Sequence, residues 1–167
     1  MIRIAGIIEE SIVDGPGVRT SIFVQGCLHN CEGCHNQHTH DFNGGYDTET
    51  DEIIEKLAKN SLVRGITISG GEPFEQAENL IDLAKKTHEI GKTVIVYSGY
   101  TFDELMKNSV KNENIRILLE NCDILIDGKF ILSQKTLELK FRGSKNQRII
   151  DLKQTFLQNK IILADYN

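Results

Sequence analysis

The sequence has no tryptophan, two prolines and two methionines among 167 residues, and nowhere do eighteen apolar residues run together. A helix that crosses a bilayer needs about 20 predominantly apolar residues, so no membrane-spanning helix and no membrane partner are expected. The opening stretch from Met1 to Glu10 lacks the apolar region and small-residue cleavage site of a secretory leader, and a cytoplasmic location is expected. Positive charge is in deficit, with 19 Lys and Arg against 24 Asp and Glu. A net charge of −5 argues against a broad basic face, so nucleic acid is not an expected partner. Cysteine is scarce as well: there are four, and in a reducing compartment clustered thiols read better as metal ligands or redox groups than as disulfides. What remains, 40% hydrophobic and 26% charged residues, is the composition of an ordinary globular protein, and the length fits one domain over residues 1–167.

Hydrophobic periodicity predicts alternating strands and helices. Residues 21–25, 66–69, 93–97 and 123–127 are short apolar runs of strand type. Between them, Ile53, Ile54, Leu57 and Ala58 recur at helical spacing, as do Ala77, Leu80, Ile81 and Ala84, the latter running from Pro73 to a C-cap glycine at Gly91. Further helical stretches are expected at 102–106 and 114–120, and further strands at 137–141 and 161–163. Such alternation predicts an α/β fold with a mostly parallel sheet, whose ligand sites gather at the C-terminal ends of the strands. A complete eight-unit barrel needs about 250 residues, so a small, partial and open β/α barrel is expected.

Three of the cysteines, Cys27, Cys31 and Cys34, follow the first of these strands at CxxxCxxC spacing. Three thiolates are close enough for one metal centre but one ligand short of a saturated four-iron cubane, and an iron without a protein ligand is a place where substrate can bind. Zinc is the rival, with His29, His35, His38 or His40 completing a Cys3His tetrahedron, although structural zinc sites usually add a distant second ligand pair. The cysteines by themselves leave both open. Cys122 stands alone before a predicted strand and reads as an inert buried thiol.

Ser69-Gly70-Gly71-Glu72-Pro73 follows a strand and opens a helix, placing main chain at the mouth of the sheet where paired glycines let a ligand approach; a plain strand-to-helix turn would look the same. Asp14-Gly-Pro-Gly-Val-Arg19 is a rigid turn, and both prolines of the chain fall within these two segments. Asp127-Gly128-Lys129 puts a carboxylate and an ammonium on the same sheet edge, and Tyr97 and Ser98 end another strand there. Residues 141–148 form a polar, basic loop suited to an anion or a docking partner, or simply to solvent.

Taken together, Asp14-Gly-Pro-Gly-Val-Arg19, Phe23, Gly26-Cys27, the CxxxCxxC run and Gly70-Gly-Glu-Pro73 resemble the radical S-adenosylmethionine activating enzymes of glycyl-radical enzymes. Cys34-His35-Asn36, Asp127-Gly-Lys129 and residues 141–148 make the chain similar to those activases whose target is the anaerobic ribonucleoside-triphosphate reductase. The resemblance implies an oxidoreductase in which Cys27, Cys31 and Cys34 hold a 4Fe-4S cluster and no side chain beyond these ligands is catalytic. It implies that Gly70, Gly71 and Glu72, with Ser98, Asp127 and Lys129, bind the cosubstrate S-adenosyl-L-methionine, and that flavodoxin or ferredoxin donates the electron. An aromatic residue often precedes the last cysteine in the wider superfamily, where this chain has Gly33. Activases of other glycyl-radical enzymes and small-molecule radical enzymes share the cysteines and the GGEP segment.

Overall fold

A computed structural model describes residues 1–166. Seven strands form one sheet: β1 (Ile2–Ser11), β2 (Val18–Val24), β3 (Tyr46–Thr48), β4 (Val63–Gly70), β5 (Thr93–Tyr97), β6 (Ile124–Asp127) and β7 (Arg148–Asp151), in the order β3-β1-β2-β4-β5-β6-β7. The helices are α1 (Thr50–Lys59), α2 (Ala77–Glu89), α3 (Phe102–Asn108), α4 (Glu113–Glu120) and α5 (Leu152–Gln158). Among the described residues no helix is long and apolar enough to cross a membrane.

The sheet is mixed, which corrects the expectation of a mostly parallel one. Strands β2, β4, β5 and β6 pair in parallel, while β1, β3 and β7 join antiparallel at the edges. The connections explain the difference. Only residues 12–17 separate β1 from β2, and a parallel return needs a crossover of a dozen residues or more. Between β6 and β7 the chain forms no α-helix that could carry a crossover, so it folds back antiparallel.

Alternation along the strands gives the sheet two unlike faces. Ile22, Val24, Ile66, Ile68, Val94, Val96 and Leu125 share a core with Ile53, Leu57, Leu80, Leu83, Leu118 and Leu119 of the helices. Each such aliphatic side chain contributes about 1.5–3 kcal/mol when fully buried. The alternate positions, Arg19, Ser21, Thr67, Thr93 and Tyr97, make the other face polar, apart from a small cluster of Ile95, Ile126 and Ile149 under Phe141 and Tyr166.

Two of the expected strands do not form. Residues 137–141 lie in the long β6–β7 connection, because β7 occupies the sheet edge beside β6. Residues 161–163 fall short of a strand, touching β7 through the Ile150–Leu163 bridge and the bonds Asp151 N–H to Ile162 O and Ala164 N–H to Ile149 O. The expected helix from Pro73 begins as a 3-10 turn, Pro73–Gln76, before α2.

Candidate metal centre

The four parallel strands point their C-terminal ends the same way, so the loops after β2, β4, β5 and β6 converge. After β2 the chain has little regular structure, and cross-links hold the cysteine loop instead. Gly26 N–H donates to Thr39 O (2.7 Å), Cys27 N–H to His40 O (3.2 Å) and Cys34 N–H to Cys31 O (3.2 Å). The Gln25 amide nitrogen donates to His38 O and Asp41 O (3.1 and 2.6 Å). Left-handed backbone at Asn30 (φ 49°) and Gly33 (φ 74°) turns the loop between the sulfurs.

All four thiols are free. Cys27, Cys31 and Cys34 are half-buried and line one cavity of about 590 Å3 together with Ser69, Gly70, Gly71 and Ser98. Burial pushes the Cys27 and Cys31 thiols up; Glu72 adds to this for Cys27, as Cys34 does for Cys31, where nearby Lys129 works the other way. Among the described residues no three His, Cys, Asp or Glu are gathered tightly enough to hold a single ion. A larger cavity, about 800 Å3, is bounded by Arg64, Lys92 and Lys153 near the starts of β4 and β5 and contains none of the cysteines.

The histidines do not complete a tetrahedron. His29 Nε2 lies 2.7 Å from Glu72 Oε2, and the His29 ring meets Tyr100 edge-on at 4.4 Å. His35 packs against Phe130 at 5.5 Å.

The glycines of the GGEP segment bring two main chains together. Gly70 sits at φ 94°, and a Cβ there would strike the backbone of Phe23 and Val24 at 2.6–2.7 Å. The amides of Gly71 and Glu72 donate to Val24 O and Gly26 O, both at 2.8 Å, which extends the β2–β4 ladder up to the cysteine loop. Those two N–H groups are thus consumed by the protein.

Glu72 was expected to grip an amine, but its carboxylate is committed inward. Oε1 accepts from Phe74 N–H (3.1 Å) and the Ser98 hydroxyl (2.9 Å), while Oε2 takes Gly99 N–H (2.8 Å) and faces His29. The residue is 1% exposed. Ser98 lines the cavity, yet its hydroxyl also accepts from Tyr100 N–H at 3.0 Å.

Asp127, expected to contact the cosubstrate, is also engaged within the protein. It does not line the cysteine cavity; its oxygens take Arg148 in a two-pronged ion pair (3.0 and 2.5 Å) and cap Phe102 N–H at the start of α3 (2.8 Å). That bond holds the Arg148 guanidinium above its ordinary value. Lys129 is exposed and borders a side cavity with His29 and Cys31.

Sequence reasoning passed over Arg19 as a ligand and found it only as a turn residue. It is buried, donating to Thr67 Oγ1, Thr93 Oγ1, Thr93 O and Ile66 O at 2.6–3.1 Å, and burial pulls its pKa down to about 10. It ties three strands together beneath the turn at residues 14–17. His29 was read only as a rival zinc ligand and Tyr100 was passed over, because no local pattern joins a histidine to a glutamate 43 residues away.

Free thiols at the mouth of parallel strands define a cluster-binding domain, and the family model described as a 4Fe-4S single cluster domain matches residues 13–150. The anaerobic ribonucleoside-triphosphate reductase-activating protein of Vibrio cholerae serotype O1 is 37% identical over 146 residues, 83% of this chain and 90% of that one. Its namesake in Escherichia coli strain K12 is 36% identical over 151 residues, 85% of this chain and 94% of its own. The chain belongs to the family of anaerobic ribonucleoside-triphosphate reductase-activating proteins. The crystal structure of QueE from Escherichia coli covers 60% of this chain and 53% of its own with a TM-score of 0.47 and 18% identity, a likeness too partial to carry an inference.

Proposed function

We propose that this chain, acting as a single domain in a partial, open β/α barrel of the radical S-adenosylmethionine type, activates an anaerobic ribonucleoside-triphosphate reductase by generating a glycyl radical on it. The supporting observation is that three free, half-buried thiols share one cavity with Gly70, Gly71 and Ser98 at the C-terminal edge of the parallel strands. The donor set suits a 4Fe-4S cluster: three free sulfurs line one cavity, and His29 beside them is turned to Glu72.

When bound, the reduced cluster would supply the one electron needed to break a carbon–sulfur bond of S-adenosylmethionine, the source of the radical that would take hydrogen from a glycine Cα of the reductase. Cys27, Cys31 and Cys34 would hold the cluster and, being three ligands, would leave it a position open to the cosubstrate. Gly70 and Gly71 present a surface without side chains, so the cosubstrate lies close against the main chain. Ser98 faces it with a lone pair. Lys129 is an exposed cation beside Cys31 for the carboxylate. Glu72 and Asp127 act from behind, the first keeping the cysteine and β5 loops in register, the second fixing the end of β6. The electron comes from flavodoxin or ferredoxin, and the protein works in the reducing cytoplasm, in keeping with its free thiols.

The test is anaerobic reconstitution with iron and sulfide, which is expected to load about four irons per chain. Adding S-adenosylmethionine, a reductant and the reductase should then give a glycine-centred radical by electron paramagnetic resonance. Tight zinc without iron uptake rejects the cluster. Cofactor cleavage with a radical on another glycyl-radical enzyme but none on the reductase rejects the partner.

A further inference from the structure

A second cleft, of about 570 Å3, runs beside the cysteine cavity. Val13, His35, Leu137, Phe141, Arg142 and Gly143 line both, so the two form one continuous surface. One wall of the cleft is the turn after β1, and the other is the loop at residues 135–143.

Both walls are built. In the turn, Asp14 Oδ2 accepts from Ser11 and Ser21 hydroxyls at 2.5 and 2.7 Å, and Asp14 O accepts from Thr67 Oγ1 at 2.7 Å. Across the cleft, the Tyr97 hydroxyl donates to Phe141 O at 2.6 Å, and Gln147 Oε1 accepts from the amides of Gly143 and Ser144 at 2.8 and 3.1 Å. Phe141 is held at φ 63°, a conformation an aromatic residue seldom adopts without such restraints.

What these walls present to solvent is unusual in two respects. Ile12, Val13 and Leu137 are 75%, 70% and 94% exposed, and clustered aliphatic exposure of this kind marks a surface that meets another molecule. The charge is one-sided. No acidic residue lines the cleft, although the chain carries −5 overall. Lys135 and Lys140 are exposed, and among the described residues neither enters an ion pair.

We infer that this cleft seats the stretch of the reductase that flanks its glycine, an extended segment carrying aliphatic side chains and at least one carboxylate. The inference rests on the function proposed above. Aliphatic walls call for apolar side chains, unpaired lysines call for a carboxylate, and continuity with the cysteine cavity lets a segment lying in the cleft deliver its neighbouring residue to the cosubstrate. A free nucleotide would use the cations but leave Ile12, Val13 and Leu137 exposed.

The experiment compares the reconstituted wild type with Lys135→Glu/Lys140→Glu and, separately, Ile12→Ser. Three quantities are read: iron per chain with cofactor cleavage by a chemical reductant in the absence of reductase, affinity for the unactivated reductase by calorimetry, and the KM for reductase in glycyl-radical formation at low and high salt. Iron content and reductant-driven cleavage should not change. The double variant should bind the reductase about tenfold or more weakly and raise KM to match, since charges across an interface set encounter and register. Salt should weaken binding by the wild type and, by screening the repulsion of the reversed charges, leave the double variant unweakened or binding slightly better. Ile12→Ser should weaken binding at every salt concentration, and it carries the test if the double variant does not fold.

Unchanged affinity and KM in these variants, with a wild type that forms the radical, would overturn the cleft and leave the proposed function standing. A wild type that cleaves its cofactor but neither binds nor activates the reductase overturns both.

Discussion

His29 Nε2 stands 2.7 Å from Glu72 Oε2, with the two side chains 7% and 0% exposed. The contact joins the cysteine loop after β2 to the GGEP segment after β4. A carboxylate has about four lone-pair sites, and in Glu72 all are occupied, by Phe74 N–H, the Ser98 hydroxyl, Gly99 N–H and His29. Three loops of the cavity therefore hang on one side chain.

Replacing Glu72 by Ala strands those partners in a buried pocket, and a loss of about 2–4 kcal/mol in the stability of the cluster-free chain is expected. Urea denaturation measures it. His29→Gln, which keeps a donor toward Glu72, should cost less than His29→Ala. A change under about 0.5 kcal/mol for Glu72→Ala, the size of an ordinary surface substitution, would show that the network is not structural.

Asp127 and Lys129 should separate cleanly. Asp127→Ala leaves the one-third exposed Arg148 without its partner and Phe102 N–H uncapped, at a cost of about 1–3 kcal/mol. Lys129→Ala should stay within about 0.5 kcal/mol, because the side chain is exposed. Calorimetric binding of S-adenosylmethionine to the reconstituted protein should nevertheless weaken in Lys129→Ala. Equal stability losses in the two variants would sink this division of labour.

Acid should destabilise the chain partly through Asp123. Burial works to raise this carboxyl, but hydrogen bonds from Lys153, His88 and Val94 N–H outweigh it and hold the group below its ordinary value of 3.8. The unfolded chain thus takes up the proton first as pH falls. The stabilisation is complete above the unfolded pKa and drains away as pH drops through the folded one. Stability measured between pH 6 and about pH 3 should fall less steeply in Asp123→Asn than in the wild type. Parallel curves would remove Asp123 from the account.

Cys122 and the loop cysteines should part in metal content. Cys122 is 1% exposed in the core, and burial pushes its thiol up, so Cys122→Ala should load the same iron as the wild type at a small cost in stability. Cys31→Ala should lose cofactor cleavage. Full cleavage by Cys31→Ala would refute the ligand assignment.

The legible parts of the fold were those with a local cause. The run at residues 93–97 is a strand wherever it packs, being β-branched and apolar, and the helical spacing of Ala77, Leu80 and Ala84 survives any context. By contrast β1 was not recognised, since register shifts in its pairing with β2 break the simple alternation, and β7 is a four-residue strand whose edge position depends on β6. The loop at residues 137–141 alternates like a strand and is not one, because β7 takes the place beside β6.

The sequence by itself determined that three sulfurs at CxxxCxxC spacing lie at a strand end, with glycine pairs nearby, because each of these depends on neighbours a few residues apart. Only the tertiary structure decided which partners the polar groups take within the protein. Glu72 and Asp127 read from sequence as contacts and turn inward, because a buried carboxylate goes to the donors that surround it, and those donors come from His29, Ser98 and Arg148, distant in the chain. The cationic, aliphatic cleft has the same origin: its two walls lie more than a hundred residues apart and meet only across the open face of the sheet.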